Sequence, residues 1–241
     1  MQQTANSTKL GSMTTEDMIT TPPGLYLCLE AATPEIALTS LEQARTAAPV
    51  EVVLLQNPEL VTKDLITSIQ AHNIAVLIKE DADLAIELSA DGVHLSEPDS
   101  ETFAAAQQKL DGKDMIIGAE VSASRHLSML LAEQGVSYIA LKAPGLDEQT
   151  SLDEEADADE QPDEEDEISF NQPPTIAWWT GLIETPCVAW NLETEAELKD
   201  AIEARADFVA LSPALWHKGD ATAETLTKLM KLIQPTDQTS E

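Results

Sequence analysis

Two aspartates and a histidine are the residues of this chain best placed for chemistry. Asp81 follows the apolar run Ala75–Ile78, and Asp99 follows the run Gly92–Leu95. If those runs are neighbouring parallel strands, both carboxylates stand at the same end of one sheet. Hard carboxylate oxygens can share a divalent cation with phosphate oxygens. The same residue type at the same place also caps a helix N-terminus, so both readings are open. His94 alternates with apolar neighbours, which suits a satisfied core histidine as well as one that faces a ligand. Lys142 ends the run Tyr138–Leu141 and offers a cation at a strand end; a solvated lysine is the competing reading, there and at Lys79.

The elements that must position these residues are legible as alternating patterns. Strand-like runs lie at Leu25–Leu29, Glu51–Leu55, Ala75–Ile78, Gly92–Leu95, Met115–Ala119, Tyr138–Leu141, Cys187–Trp190 and Phe208–Leu211. Helical patterns separate them. Thr33-Pro34 pairs an N-cap with proline at the first helical position. Leu60, Val61, Leu65, Ile66 and Ile69 form one helical face. Thr194 to Glu197 reads as a capping box, and Leu226, Leu229, Met230 and Ile233 form a closing amphipathic stripe. Short, continuously apolar strands suit a parallel sheet covered on both sides. Eight strand–helix units favour a closed (β/α)8 TIM barrel, an α/β fold, over an open sheet. The 241 residues fit one such domain, predicted over 21–235 with polar tails at 1–20 and 236–241.

The charge balance restricts partners. Against 13 Lys+Arg stand 44 Asp+Glu, a formal net charge of −31. Such a surface repels nucleic acid and anionic membranes, so neither is expected as a partner. It also repels phosphorylated ligands unless a local cationic pocket overrides the field. Cys28 and Cys187 sit in apolar runs and read as reduced core thiols of a cytoplasmic protein. No apolar run reaches the roughly 18 residues of a membrane span, and the N-terminus lacks the apolar stretch of a secretory signal. Between Asp147 and Glu167 lie 13 acidic residues and no basic one. Like charge at that density cannot bury a core, so 146–171 is expected to be a disordered acidic loop after strand six. It could contact a basic protein partner, or serve only as a solubilising linker.

One stretch carries a family likeness. Val76–Asp99, VLIKEDADLAIELSADGVHLSEPD, resembles the central signature of thiamine phosphate synthases and the related TenI proteins, with Ala90-Asp91-Gly92-Val93-His94-Leu95 matching closely. Ile117-Gly118, Ser137-Tyr138-Ile139, Pro186-Cys187-Val188-Ala189 and Ala206 to Ser212 resemble later family motifs in the same order. The resemblance implies a barrel that couples a pyrimidine pyrophosphate to a thiazole phosphate, releasing pyrophosphate, with Mg2+ as cofactor. It further implies that Asp81 and Asp99 bind the metal, that His94 lies near the pyrimidine, and that Ser212 belongs to a phosphate site.

The chain departs from that pattern where anions would bind. Gln56 and Pro58 stand where the family has an arginine and a lysine. Glu80, Ser96-Glu97 and Glu120 replace neutral polar or glycine positions, and Ser122 stands where the TenI tautomerase has histidine. Lys142-Ala143 replaces a Gly-Pro, and the clamp on the thiazole phosphate gives way to the acidic segment. Asn191-Leu192, followed by Glu193, replaces a glycine pair whose bare backbone meets a phosphate. Each lost charge-assisted hydrogen bond costs about 1.5–3 kcal/mol. The expectation is therefore a thiamine phosphate synthase-like barrel, taking a small-molecule thiamine precursor, with impaired or lost activity and with Lys142 partly substituting for lost cations. The alternatives are an inactive paralogue acting as a binding or regulatory module, and a barrel that binds a non-phosphorylated thiamine precursor.

Overall fold

A computed structural model of the chain describes residues 21–30, 32–142 and 172–234. The predicted tails and the acidic segment 146–171 lie outside the described residues.

Eight strands, β1 (Gly24–Leu29), β2 (Val50–Leu55), β3 (Ala75–Lys79), β4 (Gly92–Ser96), β5 (Ile116–Glu120), β6 (Tyr138–Lys142), β7 (Cys187–Leu192) and β8 (Phe208–Leu211), close into a barrel in sequence order. Every pairing is parallel, and β8 returns to β1 through Gly24↔Phe208 and Leu27↔Leu211. The (β/α)8 barrel expected from the sequence is the fold observed. The surrounding helices are α1 (Pro34–Ala47), α2 (Lys63–Gln70), α3 (Ala82–Leu88), α4 (Ser100–Leu110), α5 (Arg125–Glu133), α6 (Ile176–Leu182), α7 (Glu195–Glu203), α8 (Pro213–Trp216) and α9 (Thr222–Ile233).

The helices start where the local chemistry dictates. Thr33, Thr62, Thr175 and Thr194 each accept a hydrogen bond from a backbone N–H of the first turn, and Thr194 with Glu197 completes the capping box. Two details differ from the expectation. Leu60 closes a separate short turn, Pro58–Leu60, and Val61 follows it, because Thr62 caps α2 at Lys63. The short α8 was not expected; Pro213 opens it and Trp216 anchors it, its indole donating to the Cys28 carbonyl at 3.1 Å.

The floor of the barrel is clamped by side chains just before three alternate strands. Asp91 accepts from the Val76 N–H at 2.7 Å, Ser137 from Ile117 at 3.0 Å and Asp207 from Cys187 at 2.8 Å. In each case the clamping residue's own N–H donates back to the carbonyl of the same partner. Asp91 in the Ala-Asp-Gly motif is thus a structural residue. Gly92 and Gly118 admit close neighbours: a Cβ on Gly92 would stand 2.1 Å from the Ile116 carbonyl oxygen, and one on Gly118 would stand 1.9 Å from the Tyr138 ring.

Two apolar regions result. The larger lies between strands and helices; the smaller fills the lumen with Tyr26, Cys28, Leu54, Leu77, Tyr138, Ala140, Val188, Trp190 and Ala210. Both cysteines are free and buried. Among the described residues no helix is long and apolar enough to cross a membrane.

Candidate functional site

Strand register decides what faces the lumen. Paired residues in a parallel barrel share a face, so a residue beside a lumen residue also points inward. Lys79 pairs with His94, Ser96 with Glu120, Glu120 with Ala140, and Lys142 with Trp190. These four polar residues end β3, β4, β5 and β6. They form an inward polar ring at the C-terminal face, where active sites of this architecture lie.

Below that ring runs a buried chain of hydrogen bonds. The Nδ1 of His94 lies 2.8 Å from the Tyr138 hydroxyl, which lies 3.1 Å from the Tyr26 hydroxyl. His94 is fully buried, and its Nε2 has no hydrogen-bond partner among the described residues. Its ring stacks on Trp190, centroid to centroid 4.1 Å. Burial, with the Lys79 charge adding to it, pushes the His94 pKa down to about 3. His94 is therefore neutral at ordinary pH. Trp190, only 6% exposed, plugs the lumen above it. Burial likewise pushes the Cys28 thiol up to about 12, with Glu120 reinforcing it and Lys79 opposing it.

Glu120 is half-buried, and its pKa is raised first by that burial and then by Glu97. Lys142, Lys79 and the Trp190 side chain pull it the other way. Lys79 thus acts on groups from β1, β4 and β5, which places its charge inside the ring.

The carboxylates around the rim hold backbone. Asp81 Oδ1 accepts from Leu84 N–H at 2.8 Å and caps α3; Asp99 Oδ1 accepts from Thr102 N–H at 2.7 Å and caps α4. Hydrogen bonds from the Thr102 side chain and backbone hold the Asp99 carboxyl below its usual range. The carboxylate reaching across from β3 to β4 is Glu80, which accepts from Ser96 N–H at 2.7 Å. Glu97 does the same one strand further on, accepting from Ser122 N–H at 2.9 Å. Glu80, Glu97 and Asn191 adopt φ of 63°, 48° and 53°, a left-handed backbone that costs a non-glycine residue on the order of 1–3 kcal/mol. All three lie at strand ends of this face.

The sequence-derived site residues fall into three groups. His94 and Ser212 are buried, and the Ser212 Oγ has no partner among the described residues. Lys142 is exposed at the mouth. Asp81 and Asp99 stand at helix starts, each with one carboxylate oxygen committed to its cap. Among the described residues no three His, Cys, Asp or Glu side chains converge as a protein-held metal site would require. Tyr138 and Trp190 were not expected as site residues; Lys79 was weighed only as a strand-end cation and Glu120 only as an acidic replacement. The signal for Lys79, Glu120 and Trp190 was positional, since each stands at or near the end of an apolar run with the parity of its lumen neighbours, whereas Tyr138 opens β6.

The sequence and the fold resemble those of known proteins. A sequence model of the family described as thiamine monophosphate synthase matches residues 29–143. The thiamine-phosphate synthase of Erythrobacter litoralis is 37% identical over 155 residues, covering 64% of this chain and 64% of that protein. That of Hyphomonas neptunium is 30% identical over 165 residues, covering 68% and 67% respectively. This chain thus spans somewhat under two thirds of the first relative's length. Among solved structures, thiamine phosphate pyrophosphorylase from Pyrococcus furiosus superposes with a TM-score of 0.62 at 15% identity, covering 87% of this chain and 95% of that one, a likeness of fold. With the motif around His94 set on β4 of a closed barrel and these sequence matches beside it, the chain belongs to the thiamine-phosphate synthase family.

Proposed function

We propose that this barrel serves thiamine biosynthesis by binding a thiamine precursor at its C-terminal mouth, and that its capacity to couple a pyrimidine pyrophosphate to a thiazole phosphate is impaired or lost. The observation that carries the reading is the composition of the rim. Gln56 and Pro58 follow β2, where the family resemblance calls for two cations. Pro58 opens a short turn and has no side-chain donor. Glu80 and Glu97 line the neighbouring strand ends, each fixed to a backbone N–H. Pyrophosphate transfer relies on cations that neutralise developing charge, and this rim places carboxylates there.

Mg2+ belongs to the same proposal. Asp81 and Asp99 are the residues that would hold it, each already accepting the backbone N–H that caps its helix. Two carboxylates alone do not make a site for this ion, which favours six oxygens, so substrate oxygens and water would complete the set. When bound, the ion would neutralise pyrophosphate oxygens.

A second reading is a barrel whose ligand is a non-phosphorylated precursor, favoured by Glu120 beside Trp190 at the lumen entrance. Regulation through the acidic segment and a basic partner would accompany loss of catalysis, but that segment lies outside the described residues.

The test is a coupled assay. The chain is mixed with pyrimidine pyrophosphate, thiazole phosphate and Mg2+, thiamine phosphate is followed by chromatography, and each precursor is titrated separately. The reading expects a precursor to bind and product to form slowly or not at all. Sustained turnover overturns the loss of coupling; absence of binding by every precursor, phosphorylated or not, overturns the thiamine role.

A further inference from the structure

Opposite the mouth, a cavity of about 230 Å3 rises from the floor of the barrel into the lower lumen. Leu77 and Val188 are fully buried in its wall, while Val52, Ile116 and Phe208 are partly exposed at its entrance. The chemistry of the mouth makes no use of this space. Both tyrosines of the chain and one of its three phenylalanines line it, although aromatic residues make up only 4% of the sequence. None of the described residues around it is charged. Its polar atoms are already engaged. The Tyr26 hydroxyl meets that of Tyr138 at 3.1 Å, and the Tyr138 hydroxyl meets His94 at 2.8 Å. The Ser137 oxygen accepts from Ile117 N–H at 3.0 Å. No orphaned side-chain atom among the described residues belongs to this lining.

We propose that this floor cavity is a binding site for an uncharged aromatic hydrocarbon ring of the size of toluene, separate from the ligand site at the mouth. The ring enters past Val52 and Ile116 and lies among Tyr26, Tyr138 and Phe208. Size fits: an apolar cavity of roughly 150 Å3 is enough to take up benzene, so this one has room for a substituted ring. Chemistry fits as well. An apolar guest gains by leaving water, and an aromatic one also sets its edge or face against the three surrounding rings. A guest that carries an N–H, an O–H or a charge gives up its water here for no partner, and that loss offsets the apolar gain. The cavity therefore selects by shape and by the absence of polar groups. Tyr138 belongs to both halves of the lumen, since its ring lines the cavity and its hydroxyl holds His94.

The experiment is calorimetric titration of the full chain with toluene, methylcyclohexane, indole and benzoate, each alone, with thermal melting alongside. It is repeated on Val52→Phe, which adds a ring at the partly exposed entrance and fills the space; melting without ligand checks that this variant is folded. The expected result is saturable binding of toluene that raises the melting temperature, with methylcyclohexane weaker. Indole and benzoate should bind at least about tenfold more weakly than toluene, because each must bury an unpaired N–H or a charge. Val52→Phe should weaken toluene binding by at least about tenfold, since the added ring takes the place of the guest. A second measurement needs no substitution: in the toluene-saturated chain, NMR should show contacts between the toluene methyl group and the ring protons of Phe208 or Tyr26. No saturable binding of toluene overturns the proposal. So does binding that a folded Val52→Phe leaves unchanged, or the absence of those contacts. Methylcyclohexane, indole or benzoate bound as tightly as toluene overturns the ligand class. None of these outcomes depends on whether a thiamine precursor binds at the mouth.

Discussion

The Nδ1 of His94 and the hydroxyl of Tyr138 lie 2.8 Å apart inside the barrel, joining β4 to β6 through the lumen. The contact exists because Gly118 on the intervening β5 has no side chain to keep the Tyr138 ring away. Tyr138 passes the connection on to Tyr26 of β1. Three strands are thereby tied by side chains as well as by the backbone ladder.

Tyr138→Phe removes the hydroxyl shared by both bonds and leaves His94 with no partner on either ring nitrogen. A buried polar group left unsatisfied costs about 1–3 kcal/mol. Urea denaturation is expected to show a loss of that size with an unchanged slope. No change would mean that the hydroxyl chain contributes nothing to stability.

Gly118→Ala tests the same contact from the other side. Its Cβ would stand 1.9 Å from the Tyr138 ring, so the ring must move. Overpacking of this kind costs roughly 1–3 kcal/mol, and the His94–Tyr138 bond is lost with it. A crystal structure showing Tyr138 displaced, alongside the fall in melting temperature, is the expected outcome; wild-type stability and ring position would refute it.

The pH dependence follows from His94. Its pKa is about 3 in the fold against an ordinary 6.5. Below pH 6.5 the unfolded chain takes up a proton that the fold refuses. The stability from this group is therefore complete above 6.5 and drains as pH falls from 6.5 toward 3, at up to about 1.4 kcal/mol per pH unit. Glu120 acts in the opposite sense, since its raised pKa favours protonation in the fold. His94→Asn is expected to flatten the acid slope between pH 6.5 and 5. By NMR, the wild-type His94 ring should show no titration across that range; a midpoint near 6.5 would disprove its burial.

Trp190→Ala removes the ring stacked on His94 and opens the lumen to the mouth. Large-to-small changes of a buried aromatic cost about 3–5 kcal/mol. Indole added to the variant is expected to raise its melting temperature while leaving the wild type unmoved. A variant as stable as wild type would show that Trp190 is not a plug.

The sequence carried the barrel because eight short apolar runs, each followed by a helical pattern, leave few other ways to cover both faces of a sheet. It carried the site less well, for one recurring reason. Four of the runs stop, by hydropathy, just before Lys79, Ser96, Glu120 and Lys142, yet in each the strand continues through that residue. Ladder pairing holds a polar residue in the strand when its side chain faces an open mouth. Hydropathy alone reads the same residue as loop. Asp81 shows the complementary difficulty. Its place after β3 suits a ligand and a helix cap equally, and the fold uses one of its oxygens as a cap while Glu80 reaches the rim. The orphaned state of Ser212 depends on neighbours distant in sequence, so no local pattern announces it.

The proposal that the rim does not hold pyrophosphate is tested most directly by calorimetric titration of the chain with pyrimidine pyrophosphate in the presence of Mg2+. The account predicts no saturable binding in the micromolar range. Micromolar binding that Asp81→Ala abolishes would contradict it.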